Sequence, residues 1–146
     1  AASDVYKRQH QPGLCNDFIK LLNGKGNSGL TEQELENLYK VPFFIWTNYE
    51  TDAQKVDVTS LNYLSTLTLE RANIDLPAYN RFLAELMEKI PAINSRGYYS
   101  KKNECFMHVD EATGDEAKWI KAYNILQYNS MFDEKDRSSL LFPYLK

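Results

Sequence analysis

The sequence predicts a mixed α/β chain, mostly helical, with one or two short strands. Three observations lead there. Apolar residues recur at helical spacing in several separate runs. One run, "VPFFIW" (41–46), is instead continuous, aromatic and of strand length. Almost nothing else reads as strand, so the helices have faces to bury and scarcely any sheet to bury them on.

The 146 residues suffice for one domain with a real core and are too few for two ordinary ones. Apolar residues make up 43% and charged residues 25%, which sets the chain apart from disordered and membrane-spanning sequences. The net charge is −3, with acids and bases interspersed, so there is no basic face for a nucleic acid and none is expected as a partner. No apolar run approaches the ~18 residues of a membrane span, and no stretch reads as a secretory signal.

Along the chain, "AASDVYKRQ" (1–9) carries no helical or strand period. It is expected to be a non-native remnant, such as a translated adaptor, or a disordered tail, leaving 10–146 as the folded segment. A short helix follows Pro12, with Leu14, Phe18, Ile19 and Leu22 on one side. "NGKGNSG" (23–29) breaks it as a surface connector, since the loop lacks a phosphate-binding pattern. Thr31 and Glu34 have capping-box spacing, and Leu35, Leu38 and Tyr39 form the buried side of the helix they begin. Pro42 cannot donate to a ladder, which puts it at the start or edge of the strand that follows.

"SLNYLSTLTLERANI" (60–74) reads as a helix with a broad face of Leu61, Leu64, Leu67 and Ala72, and Leu69 to one side. Pro77 suits the start of the next helix. That helix has the cleanest stripe in the chain, Tyr79, Phe82, Leu83, Leu86 and Ile90, and Pro91 stops it. "NSRGYYSKKN" reads as a turn and a polar excursion. A last helix is expected from about Asp115 to Phe132 with Trp119, Ala122, Tyr123 and Leu126 on one face. The terminal "LLFPYLK" is apolar enough to dock.

The residues alone assemble no complete active site. Cys15 and Cys105 fit a single bridge or two free thiols, and no Cys/His spacing suggests zinc. His108 in "CFMHVD" has no second ligand at metal-binding spacing and reads as structural or solvated. No GxSxG elbow occurs. Asp115 and Glu116 suit the first turn of a helix, where the dipole favours negative charge. The tyrosines, ten in number and mostly at helical spacing, read as packing rather than a sugar platform.

The order of phrases says more than any one of them. "HQP" (10–12), "YKVPFFIWTNYE", "VDVTSLNYLSTLTLERANIDLP" and "YNRFLAELMEKIPAINSRGYYS" together resemble the C-terminal portion of lipoteichoic-acid-synthase-like members of the sulfatase and alkaline phosphatase superfamily. In that family a strand ends in Gly-Asp-His-Gln-Pro, whose Asp and His bind the catalytic metal. A segment like "VPFFIW" returns as a strand, and a helix with a Val-Asp-x-x-x-x-Leu-x-x-Leu pattern follows, matched here by Val56, Asp57, Leu61 and Leu64. The resemblance runs from His10 to about Ser100. It departs at Gln9 and Arg8, which stand where the family has Asp and Gly.

The resemblance implies the C-terminal part of an alkaline-phosphatase/sulfatase-like fold. It also implies a phosphoglycerol transferase or sulfatase-like hydrolase, acting on phosphate or sulfate esters at the extracytoplasmic face of the membrane. In the synthases a divalent ion, commonly manganese, activates a threonine that takes glycerophosphate from a phosphatidylglycerol-type lipid. His10 is by carry-over a metal ligand. No catalytic residue can be carried over, because the nucleophile and the other ligands lie upstream in the family. The missing upstream part of the catalytic domain is therefore the implied partner. One imidazole cannot hold a divalent ion against water, so no specific metal binding or turnover is expected of this segment alone. The alternative is a non-catalytic helical interaction module that presents the Tyr79–Ile90 stripe to a partner helix.

Overall fold

A computed structural model describes residues 3–7, 15–26, 29–132, 134–135 and 138–142. The chain divides into two units, 1–50 and 51–146. Both mix helix and strand, in keeping with the α/β expectation, and about half of the chain is helical; among the described residues there are four strands in two antiparallel pairs, where one or two strands were expected.

In the first unit, strand β1 (Ser3–Lys7) pairs antiparallel with β2 (Phe43–Thr47), in the register Ser3 to Thr47 and Lys7 to Phe43. Regular structure at Ser3–Lys7 departs from the aperiodic tail expected of residues 1–9. Five residues can join a ladder without any amphipathic pattern, because the backbone supplies the bonds. Pro42 stands just before β2, where its missing N–H interrupts no ladder.

Helix α1 (Asn16–Asn23) ends at Gly24, whose φ of 76° lets its N–H turn back to the Lys20 carbonyl at 2.7 Å. The Asn23 Oδ1 then accepts from the Lys25 and Gly26 amides at 2.8 and 3.0 Å, so "NGKG" is an ordered turn. Of the apolar side expected here, Ile19 is buried and Phe18 is half exposed; the side chains of Leu14 and Leu22 lie outside the described residues. Helix α2 (Glu32–Tyr39) opens with the expected box. Glu34 N–H donates to Thr31 Oγ1 at 3.2 Å, and the Glu34 carboxylate accepts from Thr31 N–H at 2.8 Å. These bonds to its charged form hold the Glu34 carboxyl below the ordinary carboxylate range. Tyr39 is exposed, contrary to its expected burial; a tyrosine in a last turn can keep its polar tip in water.

The second unit holds a core of Tyr63, Leu83, Leu86, Ile90, Ile93, Tyr98 and Ile120. Helix α4 (Ala78–Lys89) supplies its axis, entered through Pro77 and left at Ile90 before Pro91. Leu83, Leu86 and Ile90 are at most 1% exposed, and burying each contributes ~1.5–3 kcal/mol. The cleanest stripe in the sequence is therefore the inside of this unit.

Before it, a 3-10 turn (Leu61–Tyr63) leads into helix α3 (Leu64–Arg71). Three residues per turn instead of 3.6 shifts the phase, so Tyr63 and Thr66 face inward and Leu61 is exposed, while Leu67 of the expected leucine face is buried. Two polar ties add to this packing. Tyr63 O–H donates to the Ile90 carbonyl at 2.9 Å, satisfying an orphan acceptor at the end of α4. Asn80, nearly buried, donates to Thr66 Oγ1 at 3.0 Å.

The expected polar excursion after Asn94 is a β-hairpin, β3 (Gly97–Ser100) and β4 (Cys105–His108), in antiparallel register Gly97 to His108. Strands of four residues are too short for a period-2 pattern to stand out. Gly97 is required there, since a Cβ would run into the Met107 carbonyl of the partner strand. Helix α5 (Gly114–Phe132) spans the expected range almost to the residue. Its one fully buried residue is Ile120; Trp119 and Tyr123 pack against the core partly buried, with the Trp119 and Phe82 rings 5.6 Å apart. After a short helix α6 (Ser138–Leu141), the Phe142 ring lies 5.5 Å from Tyr79, while Leu140 of the end expected to dock is exposed and residues 143–146 lie outside the described residues.

Candidate functional site

His10, the one metal ligand carried over by resemblance, lies outside the described residues. The last described residue before it is Lys7, the end of β1, and β1 pairs with β2, which begins at Phe43. Burial along β2 alternates, yet its more exposed face carries Phe44 and Trp46, each just over half exposed. A strand that is apolar on both faces is of the type that sheets cover on both sides. Further along the chain, Asp57 is a surface residue, its carboxylate 2.7 Å from Lys55 Nζ with both side chains largely in water.

His108 ends β4 and caps the turn that follows. Its Nδ1 accepts from Asp110 N–H at 3.4 Å, and its own N–H donates to Glu111 Oε2 at 2.9 Å. The Asp110 carboxylate lies 3.2 Å from the same Nδ1. Nδ1 accepts the amide when it carries no hydrogen and donates to the carboxylate when it does, so the two contacts are alternatives. Cys15 and Cys105 are free, exposed thiols. Among the described residues, no three His, Cys, Asp or Glu converge in a way that could hold a metal ion. Among them, too, no helix is long and apolar enough to cross a membrane.

A partly buried polar cluster around Glu116 was not legible in the sequence. Glu116, in the first turn of α5, accepts from Ser100 Oγ at 2.6 Å and from the Tyr98 hydroxyl at 3.2 Å. Ser100 Oγ accepts in turn from the Asn103 amide at 3.2 Å. Both hydroxyl residues are fully buried. Burial first, and the facing carboxylate second, push the Tyr98 hydroxyl up to about 12. These bonds tie the hairpin to α5.

A second network joins α4, α5 and the 3-10 turn. The Gln127 amide donates to Tyr79 Oη at 3.1 Å and Tyr123 Oη at 2.9 Å, and Asn62 donates to Tyr123 Oη at 3.0 Å. Burial raises both tyrosines, and raises Tyr63 further. These contacts bear out the reading of the tyrosines as packing residues with a polar handle.

Two hollows remain. One, of about 520 Å³, lies between the hairpin loop and the start of α5, where Lys101, Lys102, Glu88, Glu111 and Asp115 meet Trp119. Its charges are mixed, and Lys101 Nζ is bonded to the Glu88 carbonyl. The other, about 470 Å³ and mostly apolar, runs along the outer side of α5 past Ile120, Ile125 and Tyr128. No known protein family, curated protein or solved structure matches the chain.

Proposed function

We propose that this chain is the C-terminal segment of a metal-dependent phosphoglycerol transferase or sulfatase-like hydrolase, acting on phosphate or sulfate esters at the outer face of the cell membrane. By itself it performs no turnover. The order of matched phrases from His10 to Ser100 supports the reading, and one structural observation carries it. "VPFFIW" forms strand β2, and both its faces bear apolar side chains that stay partly or largely exposed. That is how a strand from the interior of a larger layered sheet looks when much of the sheet is missing.

In the complete enzyme His10 would offer one neutral imidazole to the metal, which supplies Lewis-acid activation of the nucleophile. The residues described here do not fit a divalent ion by themselves, having no convergent donor set. No step of the reaction is therefore assigned to this chain, and its role is to complete and cover the sheet that carries the site.

The alternative of an interaction module loses its main support. The stripe Tyr79, Phe82, Leu83, Leu86 and Ile90 is turned into the core and is not available to a partner helix.

The test is the reading frame upstream of His10, followed by assay of the complete product. The proposal expects Gly-Asp immediately before His10, a long preceding domain, and manganese-dependent release of glycerophosphate or hydrolysis of a phosphate or sulfate ester. Any residue other than Asp at that place overturns it. Calorimetric titration of the 146-residue chain with manganese should show no specific binding. Micromolar affinity abolished by His10→Ala would mean that the metal site is complete within this chain.

A further inference from the structure

We draw no further inference here: the strongest candidate, the apolar groove of about 470 Å³ along the outer side of α5 between Val109, Ile120, Ile125 and Tyr128, carries nothing because nothing in the structure shows what covers it.

Discussion

Replacing Glu116 by alanine should loosen the hairpin from α5 and destabilise the second unit by about 3 kcal/mol. The magnitude follows from what the carboxylate holds. Ser100 and Tyr98 have no exposed surface, and their hydroxyls lie 2.6 and 3.2 Å from its two oxygens. Leaving a buried hydroxyl without its acceptor costs ~1–3 kcal/mol, and losing a first-turn carboxylate adds ~0.3–1 kcal/mol. Met107 Sδ, 3.8 Å from the Tyr98 hydroxyl, is a weak substitute that keeps the total below the maximum. For a unit of this size, about 3 kcal/mol lowers the melting temperature by about 12–24 °C.

Glu116→Gln keeps the shape and one acceptor, so it should cost about 1 kcal/mol. It should also bring Tyr98 ionisation down from about 12 while leaving it above the ordinary value, because burial persists after the charge is gone. Lys118→Ala, which breaks only the exposed pair with Asp115, is the control and should cost far less. Far-ultraviolet circular dichroism follows the melts, and tyrosinate absorbance follows the titration. The reasoning is refuted if Glu116→Ala melts with the Lys118 control, or if the tyrosine titration is unchanged in Glu116→Gln.

Three further outcomes are expected. Leu86→Ala removes a side chain with no exposed surface from the centre of α4 and should cost about 3 kcal/mol by denaturant titration; a loss below about 1 kcal/mol would mean that the core lies elsewhere. Gly97→Ala sets a methyl group against the Met107 carbonyl and 2.8 Å from a Phe106 ring carbon, so hydrogen-exchange protection across β3 and β4 should collapse. Unaltered protection would show that the strands do not pair in this register. Stability should hold up to about pH 10 and fall as pH rises beyond it. Tyr63, Tyr79, Tyr98 and Tyr123 keep their protons in the folded state, whereas unfolded tyrosines release theirs near pH 10. A denaturation midpoint that stays flat well above pH 10 would contradict the burial of these four hydroxyls.

The legible parts of the fold share one property: a long local pattern. Helix α4 carries five apolar residues in phase between two prolines, and α5 carries an acidic first turn and nineteen residues without a breaker. The capping box at Thr31 needs only two residues three apart. Where the pattern was short or out of phase, sequence reasoning missed. The hairpin offers four residues per strand, and the 3-10 turn at Leu61 rotates the following helix so that Tyr63 and Thr66 replace Leu61 in the core. The proposed role of His10 comes from the order of phrases, and the residue lies outside the described ones.

By itself the sequence determined where the longest helices begin and end and that β2 is a strand with apolar residues on both sides. Those are properties of neighbours along the chain, fixed by propensity, capping and periodicity. Only the tertiary structure decided which apolar residues are inside, and that Glu116 holds Ser100 and Tyr98 together across sixteen and eighteen residues of chain. Burial and hydrogen-bond partnership at such separations depend on how elements pack, and no local pattern encodes a partner that distant.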